Sequence, residues 1–144
     1  MPEFYSHAAI EASRGLDAFT RGYIVALYFT ESGDYDDELT PEENSDNGAQ
    51  FDVDDELSAE AIAAVREVCE DFQQSNCELL AQYRECTKLS DESAGHDFWL
   101  TRNRHGTGFW DRGKHSCLRE LSDNARQYGE CCAYRGDDGK VYVQ

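Results

Sequence analysis

Between positions 57 and 87 the chain places Ile62, Val65, Cys69, Phe72, Asn76, Leu79, Tyr83 and Cys86 at alternating steps of three and four. That spacing predicts one long helix, N-capped by Ser58, with Glu60 and Glu67 suiting its start and Arg84 and Lys88 its end. Asn76 falls at a core-type position of this seam, where a buried amide fixes the register of a homodimer through the 58–87 helix. The competing reading packs the helix within its own domain, with a break near 74–76. Residues 14–30 show a related pattern at Leu16, Phe19, Tyr23, Ile24, Leu27 and Tyr28. It predicts a second helix, although the run YIVALYF also suits a strand and Gly22 weakens both assignments.

The last third alternates differently. Residues 97–103 and 108–112 read as two strands around NRHGT, and residues 130–143 as a second hairpin turning at Gly136-Asp137-Asp138-Gly139. Between them, residues 116–128 read as a helix with Leu118, Leu121, Ala125 and Tyr128 inward and Gly129 closing it. The expectation is therefore α+β: a small antiparallel sheet of two hairpins, packed by about three helices including the long one, in a single domain over 1–144. No internal repeat is visible.

Charge divides the chain unevenly. The net charge is −17, and residues 31–60 hold thirteen acids and no base. Pro41 and Gly48 interrupt this segment, which has few bulky apolar residues, so an acidic loop at about 31–57, solvated or partly disordered, is expected. A field of that sign repels nucleic acid and anionic membranes and attracts basic partners. Direct nucleic-acid binding and membrane association are accordingly not expected. No window approaches the ~20 apolar residues of a membrane span. The opening MPEFYSHAAIEA lacks the basic and apolar regions of a secretory leader, which predicts a cytoplasmic protein. Six cysteines without a CxxC pair then read as reduced, buried thiols. His115 and Cys117 alone have a metal-like spacing, and neither a metal nor a cofactor is expected.

The chemistry concentrates in AGHDFWLTRNRHGTGFWDRG, residues 94–113. If its two arms are strands, Phe98 and Trp99, and likewise Phe109 and Trp110, fall on opposite sides of the sheet. One tryptophan then faces solvent or a partner. Trp99 and Trp110 become candidate interface anchors, rimmed by Arg102, Arg104 and Arg112. The alternative is a small metal-dependent hydrolase, or a nucleotide-processing or sequestering protein, using His96, Asp97, His105 and Asp111 as acid, base or ligands. A related reading places a small molecule such as a nucleotide among Arg102, Arg112 and Trp110. No GxSxG, HExxH or phosphate-cradling loop supports catalysis, and His105-Gly106 also reads as a plain turn.

This stretch, together with LDAFTRGYIVALYFTE and CEDFQQSNCELLA, resembles the signature of a widespread family of small bacteriophage and prophage proteins. The likeness spans most of 16–143 outside the acidic loop and departs at Arg104, where the signature carries glycine. The resemblance implies a phage origin and brings no established activity. Taken together, the expectation is a phage-encoded acidic protein acting in the cytoplasm of the infected bacterial host. It would engage and inhibit a host protein with a basic surface, a nucleic-acid-handling or anti-phage defence factor, by DNA mimicry. Its binding residues would include Asp36, Asp37, Glu38, Asp54, Asp55 and Glu56.

Overall fold

A computed structural model describes residues 6–144; residues 1–5, where the stretch read against a leader begins, lie outside the described residues. Among the described residues the protein is built of α1 (His7–Ala12), α2 (Ala18–Glu31), α3 (Pro41–Asp46), α4 (Ala59–Ser75), α5 (Cys77–Thr87), α6 (Asp91–Arg102) and α7 (Ser116–Arg126). The strands among them are short: β1 (Ser32–Gly33) pairs with β2 (Phe51–Asp52), parallel, and β3 (Ala133–Arg135) with β4 (Val141–Val143), antiparallel, while Leu57 forms an isolated parallel bridge to Val141. The expected α+β fold with a two-hairpin sheet is therefore replaced by a helical one. One of the two hairpins is a helix.

That helix is α6. Ser90 caps it, accepting from the Ser93 amide at 3.2 Å, and Asp91 and Glu92 suit its first turn. Every residue from Ser93 to Arg102 is buried, so large rings follow one another without a polar face. The alternation that suggested a strand reflects burial on all sides, not a pleat. The second arm is a single 3-10 turn at Phe109–Asp111.

α6 lies along α2, which is itself buried continuously from Gly22 to Tyr28. The two helices approach through glycines. A Cβ on Gly22 would lie 1.9 Å from the Glu92 carbonyl oxygen, and one on Gly95 would lie 1.8 Å from that of Phe19. Around this crossing, Phe72 stacks on Phe98 with centroids 4.1 Å apart, and Tyr23 meets Trp99 edge-on at 5.2 Å. The indole of Trp99 donates to Thr30 Oγ1 at 2.8 Å. Bulky rings and backbone-to-backbone contact thus share one core.

The long helix expected over 57–87 is two helices, α4 and α5, hinged at Asn76. The Asn76 side chain is buried. Its amide donates to the Phe72 carbonyl at 2.9 Å, and its oxygen accepts from Asn124 at 2.7 Å. The seam position that suggested a dimer is satisfied here from α7 of the same chain. α6 ends in a paired cap: the Arg104 amide bonds to the Thr101 carbonyl, and that of His105 to Leu100. Arg104 takes φ 58°, a left-handed conformation that residues with a side chain seldom adopt.

Candidate functional site

The acidic segment is ordered. Thr40 and Glu43 form a reciprocal capping box around Pro41 and start α3. The buried Asn44 accepts from the Asp36 amide at 2.8 Å and donates to its carbonyl at 2.9 Å, which ties the preceding loop to the helix. Asp52 accepts from the amides of Tyr35 and Asp54, and Asp55 accepts from that of Asp52. Tyr28, deep in α2, donates to the Asp55 carbonyl at 2.6 Å.

Asp34, Asp36, Asp37, Glu38, Glu42, Glu43, Asp46, Asp54 and Glu56 are left exposed on this frame. Among the described residues its ion pairs both come from Arg135, which meets Asp37 and, at 3.3 Å, Asp55, while lying 4.7 Å from the Tyr35 ring centroid. Asp36, Asp37, Glu38, Asp54 and Glu56 thus face solvent, and Asp55 is half-buried under Arg135. A polar segment that sequence alone reads as loose is a scaffold for carboxylates.

The other candidate residues separate. Trp99 is fully buried and Arg102 nearly so. Arg102 is a cation without a carboxylate partner among the described residues; it donates to the carbonyls of Gly129 and Tyr128 and to the Tyr23 hydroxyl, and lies near the rings of Phe98 and Tyr128. Carbonyls just beyond the end of α7 suit a positive charge. Both residues hold the core together instead of meeting a partner. Arg104 is exposed, 4.0 Å from Glu130. Arg112 donates from Nε and Nη2 to the fully buried Asp97, at 3.0 and 2.9 Å, and Tyr83 donates to the same carboxylate at 2.8 Å.

Burial raises the Asp97 pKa, against the pull of Arg112 and Tyr83, while Asp97 raises that of Arg112. A carboxylate occupied by three donors has little capacity left for proton transfer. Asp111 accepts from the Gly108 amide at 2.9 Å as a local cap. Burial lowers the pKa of the half-buried His105. Among the described residues the four groups proposed for catalysis do not form a metal-ligand cluster.

His96 is buried, its ring 6.3 Å from that of the exposed Phe29, and its Nε2 finds no hydrogen-bond partner among the described residues. Burial, with help from Arg112, lowers its pKa to about 4 from 6.5. The unfolded chain therefore holds more protons between those values, and stability falls as pH drops through the window. Denaturant unfolding at pH 7 and pH 5 is expected to show wild type losing about 2 kcal/mol more than His96→Gln between the two. Equal slopes would refute the assignment.

Trp110 is the ring of the FW pairs that stays exposed, at 44 %. It lines a cleft of about 320 Å³ with Lys114, His115, Leu118, Arg119 and Arg126, a basic patch on an acidic protein. Sequence reasoning missed these bases, although Arg119 and Arg126, seven apart on α7, share a helical face. Beside it, Cys86 Sγ and Cys117 Sγ are 3.8 Å apart, and His115 Nδ1 accepts from the Cys117 amide. Burial and the neighbouring Cys86 push the Cys117 thiol up to about 11.

No helix among the described residues is long and apolar enough to cross a membrane. Comparison with protein-family models, curated proteins and solved structures finds no match.

Proposed function

We propose that the protein is a non-enzymatic binding protein whose acidic segment engages the basic surface of a host protein. The observation that supports this most is the preorganisation of residues 34–56: carboxylates fixed on a folded frame lose less conformational entropy on binding than those of a mobile loop. Rows of fixed negative charge resemble a nucleic-acid backbone to a basic cleft, so the target class is a nucleic-acid-handling or anti-phage defence factor of an infected bacterium. Action in its cytoplasm and origin in a phage go with this reading.

Affinity capture from bacterial lysate at low and moderate salt tests it. A stoichiometric partner is expected at low salt and markedly less at moderate salt, because exposed charges are screened. The combined Glu38→Lys, Glu42→Lys, Asp54→Lys variant is expected to lose that partner while remaining folded. Retention of the partner by this variant, or no partner at either salt, overturns the proposal.

A second reading rests on the Trp110 cleft, where an indole beside Lys114, Arg119 and Arg126 suits an anionic ligand bearing a flat ring. Thermal stabilisation by nucleotides, abolished in Trp110→Ala, would favour sequestration of a small molecule over protein binding.

A further inference from the structure

We propose that Cys86, His115 and Cys117 form a binding site for a borderline-soft divalent cation, zinc above all. The fold brings them together from distant parts of the chain. Cys86 is the penultimate residue of α5, His115 is the N-cap of α7, and Cys117 is the second residue of that helix. One donor atom from each lies within 4.8 Å of the others, and this is the group of three or more such side chains found among the described residues.

The two thiols are within hydrogen-bond distance of one another, at a separation that also suits a shared cation. Two thiolates on a tetrahedral zinc, each at ~2.3 Å, stand about 3.8 Å apart, the distance observed here. A disulfide needs ~2.05 Å, so at 3.8 Å the two sulfurs are unbonded and already stand at the spacing that a shared cation requires. Cation binding replaces two S–H bonds with two metal–sulfur bonds and releases both protons to solvent. The neutral imidazole of His115 gives the third bond, exchanging its present acceptance of the Cys117 amide for coordination if Nδ1 is the ligand.

Cys86 and His115 are exposed, so the fourth position opens to solvent, as in zinc sites that hold an exchangeable ligand. The cation would also tie α5 to α7. This site is independent of the acidic segment, and its failure leaves the binding reading untouched.

Spectroscopy of the full chain, reduced and stripped of metal, tests the site. Titration with Co²⁺ is expected to saturate at one equivalent, giving the strong visible bands of four-coordinate cobalt and a thiolate-to-cobalt charge-transfer band, with Zn²⁺ displacing it. Cys86→Ser, at an exposed position, is expected to fold as wild type by circular dichroism and to lose the charge-transfer intensity. His115→Ala is expected to weaken binding, and Cys132→Ser to leave it unchanged. Absence of the charge-transfer band in reduced wild type overturns the site. So does a band unaltered in Cys86→Ser, which would place the metal on other thiols. Formation of a Cys86–Cys117 disulfide in a protein that takes up no cobalt when reduced would replace it with a redox pair.

Discussion

Gly95→Ala is expected to lower stability by about 3 kcal/mol, a fall in Tm of roughly 10 °C for a chain of this size. The added methyl would sit 1.8 Å from the Phe19 carbonyl oxygen and 2.7 Å from its carbonyl carbon. Both are backbone atoms of a buried helix, so no side chain can swing aside. Alanine improves helix propensity by about 1 kcal/mol over glycine, and that gain opposes the clash without matching it. Relief requires α2 and α6 to move apart, which also loosens the Phe72–Phe98 stack packed at 4.1 Å.

Gly106→Ala is the control, since a Cβ there meets nothing within 4 Å. Gly22→Ala, whose methyl would meet the Glu92 carbonyl at 1.9 Å, is expected to cost a similar amount. The double variant should fall short of the sum, because one separation of the helices accommodates both methyls. Thermal melts of the four proteins measure this; a Gly95→Ala melt matching Gly106→Ala would disprove the close crossing.

That crossing explains what the sequence could and could not convey. α7 has a distinct apolar stripe at Leu118, Leu121 and Ala125, all buried, so its periodicity identifies it. α6 has no such stripe, because it is enclosed on every side, and neighbouring rings then imitate a strand. Its start was nonetheless signalled by Ser90-Asp91-Glu92, a cap with acids in the first turn. Likewise Thr40-Pro41-Glu42-Glu43 announced α3 inside a segment whose charge argued for a loop. Gly22 weakens both assignments of its segment when the sequence is read alone, although an isolated helical glycine often marks a close packing contact, as it does here against Glu92.

Two of the three residues of the proposed cation site, His115 and Cys117, show a metal-like spacing in the sequence. The third, Cys86, needed the fold, because long-range proximity leaves no local pattern. The acidic character of 31–60 was plain from composition. Its rigidity was not, since it depends on Asn44, Asp52 and Tyr28 reaching specific backbone groups.

Arg112→Ala is expected to lose about 3 kcal/mol at neutral pH, because it strands the Asp97 carboxylate, which has no exposure, without its counter-ion. The figure sits at the low end for a broken buried pair because the Arg112 side chain is itself 31 % exposed and partly screened. Asp97→Asn removes the charge instead of abandoning it, leaves Arg112 able to reach water, and should cost less. In the Asp97→Asn background, Arg112→Ala should then add little, giving a coupling of about 2 kcal/mol in the double-mutant cycle.

The two single variants also differ in their response to pH. Burial already raises the Asp97 pKa, and removing Arg112 raises it further. Between the unfolded and folded values the folded Arg112→Ala protein then binds more protons than the unfolded chain. Its stability therefore declines as pH rises through that window and recovers as pH falls. Denaturant unfolding of Arg112→Ala against wild type should accordingly show a gap that narrows from pH 7 to pH 5, and the same substitution in the Asp97→Asn background should show a smaller pH dependence, left by the lesser effect of Arg112 on His96. A gap that is independent of pH, with additive single effects, would mean that the arginine contributes packing alone and that the carboxylate is satisfied by Tyr83.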